Sequence, residues 1–201
     1  MNAIDLSSFA GLTAMVLLTL NLLLGLLVAT NYSFEREWPH RKLPVPLFRI
    51  HNWTAYVAIS VAAVHPLLLL FVDKPKFTAR DLVLPIWSPG QTLYNNLGAL
   101  TFYGFLFVVV TSYFRPKLRH RPWKKLHYTA YGAAALMYVH GTLIDQNLKG
   151  ATPDFLDGEK VLVEGCFALV VAVAVWRWRR GTEKQRYTKK VGQTSRPARV
   201  S

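Results

Sequence analysis

The sequence predicts an all-α membrane protein, a bundle of five transmembrane helices with the N-terminus outside and the C-terminus in the cytoplasm. Of its 201 residues, 52% are apolar and only 17% are charged, and the mean hydropathy is +0.20. The apolar residues fall into blocks of about 18 to 22, long enough to cross a hydrocarbon layer about 30 Å thick. A disordered basic protein would be richer in charge, so the composition excludes that class.

The apolar blocks define the expected spans in order. The first is too long for a secretory signal and has no basic residue before it. The fourth is the least apolar, because tyrosines and histidines lie inside it. We expect spans at about 9–30, 51–72, 93–114, 125–144 and 161–178. They make up one domain, residues 1–180, followed by a basic cytoplasmic tail, residues 181–201.

The basic residues predict the orientation. The chain has 24 Lys and Arg against 11 Asp and Glu, a net charge of +13. With five spans, 19 of the 24 basic residues fall on the side that holds the C-terminus. Basic loops remain in the cytoplasm, so the N-terminus is expected outside. The positive charge thus reports topology, and we expect membrane lipid but no nucleic acid as a partner.

Two shorter features complete this survey. Residues 74–90, on the expected outer side, contain three prolines and Trp87. They predict an interfacial loop with an aromatic anchor, or a short helix lying in the interface. A single cysteine, Cys166, excludes an internal disulfide and any cysteine-built metal site within one chain. We expect it to be a small apolar residue in a buried helix.

Four histidines lie at membrane depth, where ionisable side chains usually face a functional interior. His51 and His65 on the second span are 14 residues apart, about 21 Å along a helix. His127 and His140 on the fourth span are 13 residues apart, about 19.5 Å. Both spans run from the cytoplasm outward, so cross-helix pairing predicts two stacked sites. We call His51/His127 the inner pair and His65/His140 the outer pair. The other two histidines, His40 and His120, are expected to be solvated in basic loops.

Haem iron is held axially by histidine, and a flat porphyrin needs space between the helices that hold it. Small residues lie between the histidines and provide that space, although close helix packing uses small residues equally well. They are Ala55, Ala58, Ala62, Ala63, Gly132, Ala133, Ala134 and Ala135. Zinc fits less well, because no carboxylate or thiol lies at matching depth to complete tetrahedral coordination.

Two points depart from ideal helices. Thirteen residues rotate by about 220°, so His127 and His140 would not share a face of a straight helix. Either a bend near Gly132 corrects this, or the two haems approach from different sides. Pro66, directly after His65, is expected to disturb the second span near the outer pair.

The segments HNWTAYVAISVAAVHP and WKKLHYTAYGAAALMYVHG resemble the ferric reductase-like transmembrane domain, over about residues 47–144. That family includes the membrane parts of NADPH oxidases and ferric reductases, and a small bacterial haem protein that partners a periplasmic methionine sulfoxide reductase. The resemblance implies that His51, His65, His127 and His140 ligate two b-type haems. Many relatives have six spans, whereas five are counted here. Oxidases also continue into FAD- and NADPH-binding domains, whereas this chain continues into a basic tail. We therefore expect a separate electron donor: a quinone, a flavoprotein or a loosely bound flavin.

Basic residues near the inner pair are candidates for binding the haem carboxylates. They are Arg49, Arg121, Lys124 and Lys125, and positive-inside anchoring explains each of them equally well. Arg80, Tyr94 and Asn95 are the corresponding candidates at the outer side. The aromatic residues near the histidines are expected to be interfacial or packing residues rather than electron relays. They are Trp53, Tyr56, Tyr128, Tyr131 and Tyr138.

The expected function is electron transfer from a cytoplasmic or quinone donor to an acceptor on the outer face, in a bacterial inner (plasma) membrane. No catalytic residue is expected, because the haem carries the redox chemistry. One alternative is a haem subunit that feeds a dedicated periplasmic reductase. The other, from a different class, is a haem-free transporter or assembly factor whose histidines bind ions or shuttle protons.

Overall fold

The structure, a computed structural model, describes residues 2–29, 45–145 and 154–194, with side chains as far as Arg180. Over these ranges the chain forms α-helices, three short 3-10 helices and no strand, so the all-α prediction is confirmed. The α-helices are α1 (Ala3–Ala29), α2 (Leu47–Leu67), α3 (Ala79–Val83), α4 (Thr92–Tyr113), α5 (His120–His127), α6 (Thr129–Leu143) and α7 (Gly158–Thr194). The 3-10 helices are Leu68–Phe71, Pro85–Trp87 and Arg115–Lys117.

Four of the described helical segments are long and apolar enough to cross a membrane. They are Ala3–Ala29, Leu47–Phe71, Thr92–Tyr113 and Gly158–Arg180. The span expected at 125–144 corresponds to parts of α5 and α6, and α6 has only 15 residues. A helix needs about 20 residues to cross the hydrocarbon layer. The count of five spans and the orientation therefore stay predictions.

Helix α1 begins six residues before the first apolar block. The Asp5 side chain accepts a hydrogen bond from the Asn2 N–H at 3.0 Å, and the Asn2 side chain accepts one from the Asp5 N–H at 2.8 Å. This reciprocal arrangement satisfies backbone N–H groups that have no partner at the start of a helix. Hydropathy alone does not report such a cap, which explains the late start predicted from the apolar block.

Pro66 limits α2 as predicted. The helix continues for one residue beyond the proline and then tightens into the 3-10 helix Leu68–Phe71. Proline has no N–H to donate to the carbonyl four residues earlier, and its ring crowds that carbonyl. The disturbance therefore falls directly after His65, at the level of the outer pair.

The helix break in the fourth segment lies at Tyr128 rather than near Gly132. The Tyr128 N–H lies 3.2 Å from the carbonyls of both Lys124 and Lys125, and the Tyr128 carbonyl accepts the Tyr131 N–H at 3.1 Å. Bonds across three residues wind the backbone more tightly than an α-helix. The break directly follows His127, so His127 and His140 lie on two different helices.

Helix α7 continues beyond the predicted end of the fifth span. Its backbone remains helical to Thr194, so much of the segment expected as a tail extends the helix. Residues 195–201 of that tail lie outside the described residues. So do most of the loop before α2, residues 30–44, which includes His40, and residues 146–153.

The helices pack as two close pairs with α7 alongside. Helix α1 packs on α2, α4 packs on α6, and α7 contacts both α1 and α6. The buried core lies between the inner pair and the outer pair of histidines and is almost entirely apolar. Its members are Met15, Leu18, Ala58, Phe105, Ala133, Ala134, Met137, Tyr138 and Val163. Cys166 packs partly buried against this cluster, which fits the small apolar role expected for it.

Large apolar side chains cover the outside of the bundle. Phe9, Trp53 and Phe71 are 64%, 68% and 75% exposed. A soluble protein rarely exposes so much contiguous apolar surface, whereas a helix in lipid needs it. Between α2 and α4, α3 and the following 3-10 helix expose Val83 and Trp87, in keeping with the predicted interfacial anchor.

Candidate functional site: two histidine pairs

The structure brings the inner pair together. The ring centroids of His51 and His127 are 6.3 Å apart, and the ring planes meet at 77°. A metal lies about 2 Å from an imidazole nitrogen, with the ring centre roughly 1 Å beyond, so two rings that share a metal have centroids about 6 Å apart. The separation would let both imidazoles bind one metal, and the two rings meet edge to face.

The outer pair faces a common cavity. His65 and His140 both line an apolar cavity of about 520 Å³, which is bounded by α1, α2, α4 and α6. Cofactor sites usually enclose about 300–1,000 Å³ and are mostly apolar. The cavity separates the two helices that carry the pair, and its volume is suited to a flat apolar cofactor.

Helix α1 sets the two levels. The Ser7 carbonyl lies 2.7 Å from Nδ1 of His65, and the Asn21 carbonyl lies 3.1 Å from Nδ1 of His51. Ser7 and Asn21 are 14 residues apart, as are His51 and His65. Because α1 runs antiparallel to α2, the equal spacing fixes both rings against one helix at depths about 21 Å apart.

Helix α4 holds the other two rings in the same way. The Tyr94 carbonyl lies 2.8 Å from Nδ1 of His140, and the Ser112 hydroxyl lies 3.2 Å from Nδ1 of His127. A carbonyl can only accept, so Nδ1 carries the proton in the three histidines that face one. Within the described part of the chain this arrangement leaves Nε2 free, and metal-binding histidines commonly have the other ring nitrogen bonded in this way.

Three glycines allow the rings to approach the neighbouring helices. A Cβ atom at Gly11 would lie 2.9 Å from Nδ1 of His65, and one at Gly25 would lie 3.1 Å from Cε1 of His51. At Gly98 it would lie 2.8 Å from Cε1 of His140. The contacts at Gly11 and Gly98 are closer than a side-chain Cβ can approach, and the one at Gly25 would force the ring to shift, so each glycine provides the space for one imidazole. The sequence analysis did not single out these glycines, although a glycine within a span is a visible signal.

The small residues between the histidines serve both of the roles considered for them. Ala62 and Ala63 line the cavity at the outer pair. Ala133 instead packs on α4, where a Cβ atom at Gly104 would lie 2.9 Å from the Ala133 Cβ. Gly132 and Ala135 are exposed. Small residues therefore provide the cavity on α2 and close helix packing on α6.

A basic residue that was not proposed from the sequence lies beside the inner pair. Arg49, Arg121 and Lys124 are all exposed, as is Lys125. The Arg115 guanidinium lies 4.4 Å from the ring centre of Trp123, and the Trp123 ring stacks on His127 at 5.1 Å. The buried Nε1 of Trp123 has no hydrogen-bond partner among the described residues. A cation and an unpaired donor beside His127 are the groups that an anionic substituent of a ligand would need.

The outer candidates have structural roles. Arg80 lies over the Trp87 ring at 4.4 Å. Tyr94 contributes its backbone carbonyl to His140, and Asn95 donates to the Ser88 hydroxyl and the Gly90 carbonyl at 2.7 Å each. Among the aromatic residues, Tyr138 is buried and its hydroxyl lies 2.8 Å from Thr19 Oγ1, as expected of a packing residue.

The donor set suits haem better than a bare metal ion. Within the described residues, no group of three or more His, Cys, Asp or Glu side chains could hold a metal. A haem brings four ring nitrogens of its own and needs only two axial ligands, which is what each pair offers. Tetrahedral zinc would need further protein ligands.

Comparison with known proteins identifies the family. The family model described as ferric reductase like transmembrane component matches residues 10–138. The match includes His51, His65 and His127 and ends two residues before His140. The curated proteins and the solved structures contain no match to the chain. Because the matched residues make up more than half of an all-helical chain with apolar spans, the resemblance is confirmed: this is an integral membrane protein that belongs to the ferric reductase-like transmembrane component family.

Proposed function

We propose that the chain carries electrons across a bacterial inner membrane through two b-type haems, one held by each histidine pair. Its family indicates transmembrane electron transfer in general. The observation that supports the finer proposal is the pairing of four membrane-depth imidazoles, each with its Nδ1 held by a neighbouring helix. Haem iron accepts such axial nitrogen ligands from a protein.

The residues of the chain would hold and insulate the haems, which supply one-electron chemistry when bound. Nε2 of each histidine would bind iron, while α1 and α4 orient the rings through Nδ1. Arg115 and Nε1 of Trp123 are the groups available to a haem carboxylate at the inner level. The apolar core between the levels excludes water, which keeps the transferred electron away from solvent reactions.

We infer that electrons enter beside the inner pair and leave at the outer pair. A second cavity, of about 440 Å³, lies next to the inner level. It is lined by Phe48, Asn52, Tyr56, Ser112, Tyr113, Arg115 and Pro116. Aromatic walls with a few polar groups suit a planar donor, either a quinone or a flavin. A separate flavoprotein is the third kind of donor that we consider. The orientation that follows from the basic loops makes this side cytoplasmic.

The decisive experiment is a redox-titrated absorption spectrum of the full chain, purified after expression with ample haem precursor. We expect two haems per chain and split low-spin bands. Replacing His65 or His140 with alanine should remove one haem selectively, and replacing His51 or His127 should remove the other. A wild-type chain that folds but binds no haem would refute the proposal and leave the transporter or assembly-factor alternative. Co-purification of a soluble reductase would favour the alternative in which the chain is a haem subunit that feeds a dedicated periplasmic reductase.

A further inference from the structure

A buried lysine lies beside the outer pair. Lys160, in the first turn of α7, is only 4% exposed. Its ammonium group donates hydrogen bonds to the carbonyls of Gly141 and Ile144, at 2.9 and 2.5 Å. A lysine this buried needs such partners, because an unpaired charge in an apolar surrounding is very unfavourable.

The two acceptors identify what Lys160 does to the fold. Gly141 and Ile144 lie at the C-terminal end of α6, where carbonyls have no partner within the helix and carry partial negative charge. Val163, one turn along α7, packs against Gly141 on the same side. Lys160 therefore ties α7 to the helix end that carries His140, and it places a positive charge next to that ligand.

We propose that Lys160 is a positioning residue for the outer pair, which fixes the end of α6 and raises the reduction potential of the haem bound there. This inference rests on the haem function proposed above. A nearby positive charge favours the ferrous haem, which carries one positive charge fewer than the ferric haem. Asp145, Asp157 and Glu159 also interact with Lys160. These acidic groups lower the reduction potential, whereas Lys160 raises it. Removing the lysine charge alone should still lower the potential, because the acidic groups stay in place.

The inner level has a weaker counterpart. Arg115 lies near His127, but it is partly exposed, so water screens its charge. Lys160 is only 4% exposed, so water screens its charge less than that of Arg115. Lys160 is therefore the charge whose removal is expected to change the potential at the outer pair most.

The test is a redox titration of haem-loaded full-length variants. At a separation of about 10 Å and an effective dielectric constant of about 20, removing one charge changes the ratio of reduced to oxidised haem about tenfold. For one electron this corresponds to a potential lower by about 59 mV. Lys160→Met and Lys160→Gln should both lower one of the two potentials by this amount. Lys160→Arg keeps the positive charge, so this variant should have the same two potentials as the wild type.

Two controls separate charge from general damage. Lys76→Met removes an exposed positive charge at the same end of the bundle and should leave both potentials unchanged. Arg115→Met should lower the potential of the haem at the inner pair, by less than Lys160→Met lowers that of the haem at the outer pair. If Lys160→Met fails to accumulate, the Gln and Arg variants decide, because the glutamine amide can still donate to the two carbonyls.

The inference is overturned if Lys160→Gln titrates like the wild type, or if both potentials move together. Either result, obtained with two haems bound in the wild type, leaves the proposed function intact. Absence of haem from the folded wild type instead refutes the proposed function itself.

Discussion

Replacing Gly98 with alanine should prevent the outer pair from holding the haem proposed for it, while leaving the helix bundle folded. The new Cβ atom would lie 2.8 Å from Cε1 and 3.0 Å from Nε2 of His140, whereas ordinary contacts begin at 3.4 Å. The ring must therefore move by about 0.6 Å. Metal–ligand distances are held to within about 0.2 Å, so Nε2 would no longer be placed to bind the iron proposed there.

The effect on folding should be small. Alanine stabilises a helix by about 1 kcal/mol relative to glycine. Overpacking of a buried contact costs about 1–3 kcal/mol. The two terms largely offset each other, so the free energy of unfolding should fall by no more than about 2 kcal/mol. The haem content therefore reports the displacement of the ring.

The assay is haem per chain, measured by absorption, together with thermal unfolding in detergent. We expect the haem content to fall from two to one in Gly98→Ala. Gly132→Ala is the matched control, because a Cβ atom there meets nothing within 4 Å. Gly25→Ala, with a contact of 3.1 Å to His51, should disturb the inner haem more mildly. Gly98→Ala with two haems and an unchanged spectrum would refute the reasoning.

Three further predictions concern the fold and its orientation. Tyr138→Phe removes the 2.8 Å hydrogen bond to Thr19 and should lower stability by about 1 kcal/mol, measured as thermal unfolding in detergent; an unchanged midpoint would contradict a net contribution from this bond. The pKa of Asp81 is lowered, chiefly by the hydrogen bond from the Thr78 hydroxyl. The stabilisation of α3 is then complete above the ordinary pKa of 3.8 and is lost as the pH falls below it, so Trp87 fluorescence should change under acid in the wild type but not in Asp81→Asn. A C-terminal reporter active only in the cytoplasm should give signal, and one active only outside should not; the reverse would refute the orientation.

Much of the fold could be predicted from the sequence, because a membrane span is a local property of composition and length. The apolar blocks located α1, α2, α4 and the spanning part of α7, Gly158–Arg180, to within a few residues, apart from the start of α1. The start of α1 depends on Asn2, and the break before α6 depends on a tight turn at Tyr128. Neither feature changes the hydropathy, so the pattern of apolar residues could not reveal them.

The site divides in the same way. The number of histidines and their spacing along the chain determined that two pairs were possible, because helical rise converts spacing directly into depth. Which atoms hold each ring depends on the rotation and separation of neighbouring helices. Three of the four Nδ1 partners are backbone carbonyls, which every residue possesses and no sequence pattern can distinguish.

By itself, therefore, the sequence determined the membrane environment, four long apolar helices and the level at which His51 and His127 meet. Only the tertiary structure decided that Gly98 yields space to His140, that Arg115 lies beside the Trp123 ring that stacks on His127, and that Lys160 bonds to the last turn of α6. These contacts join residues far apart in the chain. They are set by how side chains fit between packed helices, which the periodicity of a single helix does not encode.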